Sequence, residues 1–455
     1  VPLATINPAT EETVFRVDPL TDAELNAKLQ LAATAALWHR ATGFDDRAAK
    51  MRRAADLFEA EADRLAELMT LEMGKPLSQA REEALKCATG CRYYAEHAEA
   101  LLADEPVPNA TGACHVRYEP LGVVLALMPW NYPLWQVIRF AAPALMAGNV
   151  GLLKHADNVP QCGAALEDIF YRAGFAAGCF QNLAIEIPTI ERVIEDPRVA
   201  AVSLTGSVAA GRAVGAQAGR ALKPCVLELG GNDPFIVLPS ASLELALTQA
   251  VKARVQNNGQ SCIAGKRFFV HAAIYDEFEQ KFAAAFRSLK MGNPRLPGTD
   301  IGPLAHARAV ETLERQVNAA LKGGARALVG GKRAPGRGYY FEPTILVDVA
   351  DDNPVADEEI FGPVAMLSRV ASLDEAMARA NRSSFGLGAS VWTNDPAEQA
   401  WAVRGLQAGQ VFVNCMVVSQ PALPFGGTKQ SGVGRELGAP GIRAFTNQKS
   451  VRVAT

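Results

Sequence analysis

The 455-residue sequence lacks a long apolar run. Its most apolar stretch, Phe140 to Leu153, is interrupted by Pro143, Gly148 and Asn149. It falls well short of the roughly 20 residues a helix needs to cross a bilayer. Val1 to Pro8 lacks the basic start and apolar core of a secretory signal. Charge of one sign is also missing: 45 Lys and Arg face 48 Asp and Glu, leaving a net −3. That balance removes the electrostatic case for nucleic acid. Cysteine is sparse, with eight in the whole chain. So few build no dense disulfide framework and read as reduced thiols, which points to the cytoplasm. Cys87 and Cys91, four apart, would share a helix face. Two further ligands at suitable spacing are absent, so packing is the better reading and no metal is expected.

Several familiar motifs are absent too. There is no G-x-G-x-x-G, no Walker A loop, no G-x-S-x-G and no H-E-x-x-H. A dinucleotide site, if present, must be built without the usual glycine fingerprint. What is present is ample apolar material: 49% hydrophobic residues against 20% charged excludes disorder. The length suits two or three domains.

The first hundred residues read as helices. Thr21-Asp-Ala-Glu24 is a capping-box pattern ahead of a run ending near His39. Asp45 to Leu71 and Leu77 to Leu102 continue in the same style, parted by Gly74-Lys75-Pro76. Val107 to Pro120 is polar and β-branched, and predicts a hairpin or arm. Strands are then predicted at 122–128, 150–154, 182–185 and 200–204, with helices at 133–147, 160–173 and 208–218 between them. The alternation resumes with strands at 235–238 and 268–271, helices at 243–257 and 274–289, and a helix capped at Ser372-Leu-Asp-Glu375. This is the pattern of two successive α/β domains with parallel sheets. The tail Ser450 to Ala454 alternates like an edge strand able to pair with another chain.

Three segments carry chemistry. In Gln256-Asn-Asn-Gly-Gln-Ser-Cys262 the Asn-Gly pair permits a sharp turn and leaves Cys262 near the start of the next element. Val226-Leu-Glu228-Leu-Gly-Gly puts a carboxylate at a strand end, where ligands gather in open sheets. Met128-Pro-Trp-Asn131-Tyr-Pro puts an amide donor on a strand-to-helix turn. Singly, each has a plainer reading. The cysteine is a small core hydrophobe, the glutamate caps a helix, and the asparagine holds a turn.

Together the segments resemble the aldehyde dehydrogenase superfamily. Its signatures occur in order at Pro129-Trp-Asn131, Leu153-Lys154, Thr205-Gly206-Ser207, Glu228-Leu-Gly-Gly231, Gly259-Gln-Ser-Cys262, Glu359-Ile-Phe361-Gly-Pro and Pro424-Phe-Gly-Gly427. The resemblance implies an α/β fold in three parts. These are a Rossmann-like cofactor domain (1–103 and 121–229), a catalytic α/β domain (230–425) and a small β oligomerisation arm (104–120 and 426–455). It implies a homodimer or homotetramer.

The resemblance also implies roles. Cys262 is the nucleophile, its thiolate favoured by a helix N-terminus and a nearby nicotinamide cation. Asn131 and the Cys262 N–H stabilise the oxyanion, and Glu228 activates the deacylating water. Lys154 takes the adenosine ribose and Gly206 and Ser207 the pyrophosphate. Glu359 takes the nicotinamide ribose, Phe361 packs by the ring, and Trp130 is a further cofactor-binding residue. Asp157 takes the position of a ribose-binding acid, which favours NAD over NADP, unless it merely caps the helix containing Pro160. Lys154-His-Ala, Arg139-Phe-Ala-Ala-Pro and Ser419 look most like bacterial succinate semialdehyde dehydrogenases. Arg139, Trp135 and Ser419 then become substrate-binding residues. The guanidinium of Arg139 reads the carboxylate, unless it serves an acidic neighbour instead. A broader aldehyde or glutarate semialdehyde dehydrogenase is the alternative, and a non-catalytic binding protein the rival of another class. Some relatives carry a second cysteine two residues after the nucleophile. Here that position is Ala264, so a disulfide switch there is absent.

Overall fold

The computed structural model describes residues 3–108 and 112–454. Residues 1–2, 109–111 and 455, the ends of the chain and the middle of the expected arm, lie outside the described residues. Two main sheets carry the architecture. The first has six strands in the order Gly432–Val433, Cys225–Glu228, Val199–Thr205, Val123–Met128, Val150–His155 and Phe180–Asn182. All its pairs are parallel except that of Gly432–Val433 with Cys225–Glu228. The second has seven strands in the order Arg326–Val329, Thr344–Val347, Val364–Val370, Gly265–His271, Asp233–Val237, Gly388–Trp392 and Gln410–Val413. Only Arg326–Val329 runs antiparallel to its neighbour.

Strands Val123–Met128 and Val150–His155 are buried on both faces. That is why they read as unbroken apolar runs and not as alternation. The helix Trp135–Met146 between them is buried along its whole length. Its apolar sequence therefore belongs to the protein core. Among the described residues no helix is long and apolar enough to cross a membrane. Around the second sheet Phe235, Phe268, Phe278, Phe282, Phe286 and Trp392 form a fully buried aromatic cluster. Each such side chain contributes about 1.5–3 kcal/mol by leaving water. Cys87 and Cys91 are buried in the helical core, as packing predicts, and no metal-binding group occurs among the described residues.

Local signals hold where they are chemical. Thr21 accepts from the Glu24 N–H at 3.3 Å while Glu24 accepts from the Thr21 N–H at 2.8 Å, completing the capping box. Ser372 caps its helix in the same way by accepting from the Glu375 N–H. Other expectations need correcting. The helical segment predicted over 45–71 is two helices, Phe44–Ala60 and Ala62–Met73, meeting at the non-helical Glu61. Neither Pro nor Gly marks that break. The strand predicted at 182–185 is Phe180–Asn182, paired in parallel with Gly151–Leu153. In the arm, Ala113–Pro120 pairs with Thr446–Val453 on one side and Glu105–Pro106 on the other. Among the described residues, the outer edge of Thr446–Val453 has no partner strand. Of the segment 426–455, only this last strand lies in the arm. Gly432–Val433 closes the edge of the first sheet beside Glu228, and the helix Gly438–Arg443 packs on the helix Trp135–Met146.

Candidate active site

The helix Leu243–Val255 is followed by the tight turn Gln256–Gly259, which contains three left-handed residues in succession: Asn257 (φ 55°), Asn258 (φ 57°) and Gly259 (φ 74°). Asparagine tolerates this region better than most residues, and glycine is at home there. A side chain at 259 would also strike the backbone of Gly362. Hydrogen bonds hold the turn. Asn258 Nδ2 donates to the carbonyls of Gly74 and Pro303, both at 2.9 Å, and Asn257 Nδ2 donates to Asn131 O at 2.6 Å. Lys266 Nζ donates to the carbonyls of Ser261 (2.9 Å) and Cys262 (2.7 Å). Cys262 thus sits in a fixed turn ahead of the strand Gly265–His271.

It does not sit at a helix N-terminus, which corrects the expectation of a helix-activated thiolate. Burial pushes the Cys262 thiol up to about 12, and the opposing pull of Arg139 and Lys266 does not overcome it. The protein without cofactor therefore holds a thiol there at neutral pH.

Asn131 is oriented from both sides. It accepts from Gln136 Nε2 at 3.0 Å and donates through Nδ2 to Gln260 O at 3.1 Å, leaving one amide hydrogen free. Glu83 holds the start of the next helix by accepting from the N–H groups of Leu134 and Trp135, both at 2.9 Å. The ammonium of Lys75 pairs with that same buried carboxylate.

Glu228 lies at the end of its strand and is buried, with neither carboxylate oxygen hydrogen-bonded. Burial, reinforced by the nearby Glu436, holds it well above the usual carboxylate range, against the pull of Arg139 and Arg435. Gly426, in the Pro424-Phe-Gly-Gly427 motif, makes the space for it: a Cβ there would lie 2.5 Å from Glu228 Oε1. Glu436 pairs with Arg139 Nε at 2.8 Å, and the guanidinium also stacks 4.1 Å from the centroid of Phe425.

Two cavities meet at Cys262 and Gln136. One, of 420 Å³, runs past Trp135, Arg139, Ser419 and Phe425. The other, of 280 Å³, is lined by Trp130, Asn131, Thr205, Gly206, Ser207, Glu359 and Phe361. This second space fits the nicotinamide half of a dinucleotide. Ser207 caps the helix Val208–Arg220, whose first turn leaves backbone N–H groups for a pyrophosphate. Glu359 accepts from the Gly231 N–H at 3.0 Å and lies 3.4 Å from Lys266. Trp130 and Phe361 meet edge to face, centroids 5.8 Å apart.

The two cavities thus gather Cys262, Asn131, Trp130, Gly206, Ser207, Glu359 and Phe361 on one side and Arg139, Trp135 and Ser419 on the other. Glu228, Lys154 and Asp157 line neither. Lys154 and Asp157 pair with each other. Asp157 does not cap the following helix, whose cap position is Val159 with no side-chain bond. Arg139 does have the acidic neighbour that its plainer reading required. Sequence reasoning missed Gln136, Glu83, Lys266 and Glu436. Only Gln136, one helical turn and a half past Asn131, carries a local signal.

A thiol where two cavities meet, with an amide donor beside it and a capped helix N-terminus in one wall, is the kind of site a cysteine-dependent aldehyde oxidoreductase uses. The chain belongs to the aldehyde dehydrogenase family, whose model matches residues 2–451. It is 55% identical over the full length of both chains to "Succinate-semialdehyde dehydrogenase [NADP(+)] 1" of Mycobacterium tuberculosis. Against the Mycobacterium leprae "Succinate-semialdehyde dehydrogenase [NADP(+)]" it is 54% identical, covering 99% of this chain and 100% of that one. The structure of a succinic semialdehyde dehydrogenase from Streptococcus pyogenes with NADP+ superimposes with a TM-score of 0.97 at 35% identity, over 100% of both chains.

Proposed function

We propose that the enzyme oxidises succinate semialdehyde to succinate with NADP or NAD, through a thiohemiacetal and a thioester on Cys262. The observation that carries this reading is the 420 Å³ cavity. It begins at Cys262 and has a guanidinium, Arg139, and a hydroxyl, Ser419, in its walls. An aldehyde placed on the sulfur directs a terminal acid toward them. The names of the relatives point the same way. Comparing kcat/KM across succinate semialdehyde, glutarate semialdehyde and butanal tests it; an equal or better rate for butanal would overturn it.

Cys262 attacks as its thiolate, the thiol proton having passed to solvent, and creates an oxyanion that the free Asn131 hydrogen and the Cys262 N–H meet, each such donor being worth about 3–4 kcal/mol. Ser207, Glu359, Trp130 and Phe361 would hold NAD(P), which when bound would accept the hydride leaving the thiohemiacetal carbon and so leave a thioester on Cys262. Glu228 then takes the proton of the water that hydrolyses the thioester. The open edge of Thr446–Val453 supports assembly into a homodimer or homotetramer.

The carboxylate is proposed to bind the Nη edge of Arg139, since Nε faces Glu436 at 2.8 Å and Nη2 makes only a long contact to Thr205 Oγ1 at 3.4 Å. Arg139→Lys keeps a positive charge beside Glu436 but loses the planar fork. It should lower the ratio of kcat/KM for succinate semialdehyde over butanal about tenfold. An unchanged ratio would show that Arg139 serves Glu436 alone.

The names of the relatives, which specify NADP(+), do not support the NAD preference expected from Asp157. The fold supplies a reason. The Asp157 carboxylate is neutralised by Lys154 and is half exposed, so its repulsion of a 2′-phosphate is compensated and screened. Both cofactors are therefore expected to serve. Asp157→Ser frees the Lys154 ammonium and should shift the NADP/NAD ratio of kcat/KM about tenfold toward NADP. No shift would mean that the Asp157 charge is not felt by the cofactor.

A further inference from the structure

Four cations line the 420 Å³ cavity. Lys75 is paired with Glu83 and Arg139 with Glu436, both in fully buried contacts. Lys252 is exposed at the rim. Lys86, on the helix Leu77–Leu101, is half-buried, and no carboxylate lies within ion-pair distance of it among the described residues. Its ammonium lies 4.6 Å from the ring centroid of Trp135. A lysine head ordinarily extends into water; this one is held against a cavity wall.

The wall is built to hold it. The backbone N–H of Trp135 donates to Glu83, and its indole N–H donates to Ser419 Oγ at 3.1 Å. Gly90, one turn beyond Lys86, lets the indole lie close to the helix: a Cβ there would meet Trp135 Cζ3 at 2.9 Å. Because Ser419 accepts from the indole, its own O–H proton is left to donate into the cavity.

We propose that Lys86 is a second specificity-determining cation of the cavity beside Arg139, pairing as an ammonium with the free carboxylate of the substrate while Ser419 donates to the same group. This rests on the reading of a semialdehyde acid as substrate and adds to it a partner for the acid that no other side chain has claimed. Arg139, tied to Glu436, cannot turn its whole fork to the ligand, whereas Lys86 gives up only water and an aromatic face. Cation–π contact lowers the cost of keeping the charge there while the cavity is empty.

The pairing should be titratable. Burial, then the positive charge of Arg139, pulls the Lys86 ammonium down to about 8. The other charged or titratable groups around this part of the cavity are Glu82, Glu83 and Cys87 on the same helix, Lys75 before it, Lys252 on the helix Leu243–Val255, and Asp300. Glu83 opposes the downward pull and Lys75 adds to it. A cation with a lowered value is charged below it and neutral above it. Acid binding therefore holds at neutral pH and fades as pH rises through about 8.

The experiment is the ratio of kcat/KM for succinate semialdehyde over butanal in wild type, Lys86→Met and Lys86→Arg. Butanal lacks the carboxylate, so ionisations of Cys262 and Glu228, which both substrates need, cancel in the ratio. Between about pH 7 and about pH 9.5 the wild-type ratio should fall about tenfold or more. In Lys86→Met it should be low and flat with pH. In Lys86→Arg, which keeps its charge throughout, it should be high and flat. A wild type without preference for the acid would overturn the substrate reading itself. A wild type that prefers the acid, with Lys86→Met keeping that preference at about pH 7, would overturn the role of Lys86 alone.

Discussion

Cys262→Ala should lose turnover by about 10⁴-fold or more, with neither reduced cofactor nor thioester formed. The side chain is the only nucleophile shared by the two cavities, the other common residue being the amide Gln136. The loss should come without unfolding, because the turn is held by Asn257, Asn258 and Lys266 and not by the sulfur. Turnover near wild type would sink the mechanism. The wild-type thiol gives a second measurement. Burial pushes it up to about 12, so without cofactor its alkylation, followed at Cys262 by peptide mass, should keep rising with pH through the region where a free thiol levels off, about 9.5 to 10, a unit or more above its pKa. Levelling near that value would mean that the buried thiol is not the resting state.

Glu228→Gln should divide the reaction in two. A burst of reduced cofactor, approaching one equivalent per site, should precede a steady state slowed about 10²–10⁴-fold, since general-base help to the deacylating water is lost. The burst also tests whether Glu228 is needed to deprotonate the thiol, because its absence would place Glu228 in the first step. Burial and Glu436 hold the Glu228 carboxyl above its usual range. It is therefore neutral at low pH and becomes a base as pH rises, so wild-type deacylation should accelerate with pH. In Glu228→Gln that acceleration should be gone. The amide is neutral and close in shape, and it removes a buried carboxyl that faces Glu436 without a hydrogen bond. The melting temperature should hold or rise. A clear fall would indicate that Glu228 supports the fold, and the kinetic loss would then need another reading.

Both variants act on residues that the sequence makes legible, and for a shared reason. Asn257-Asn-Gly259, Gly426 and Gly230 are required by left-handed backbone or by contacts too close for a Cβ, and such requirements leave short, fixed strings around the reacting groups. The parallel sheets were legible because strands covered on both faces must be apolar throughout. The break at Glu61 was not, because a helix can end there without Pro or Gly when the next helix packs in a new direction.

The sequence by itself determined the family and the α/β alternation, and it marked the proposed nucleophile and its proposed oxyanion partner, since each depends on local backbone geometry written in adjacent residues. Only the tertiary structure decided the electrical state of the site. How tightly Cys262 and Glu228 hold their protons, and whether Arg139 or Lys86 has an acidic partner, depends on burial and on charges up to 297 positions away, as between Arg139 and Glu436. Desolvation and Coulomb energy are functions of distance in space, and a linear sequence does not state that distance.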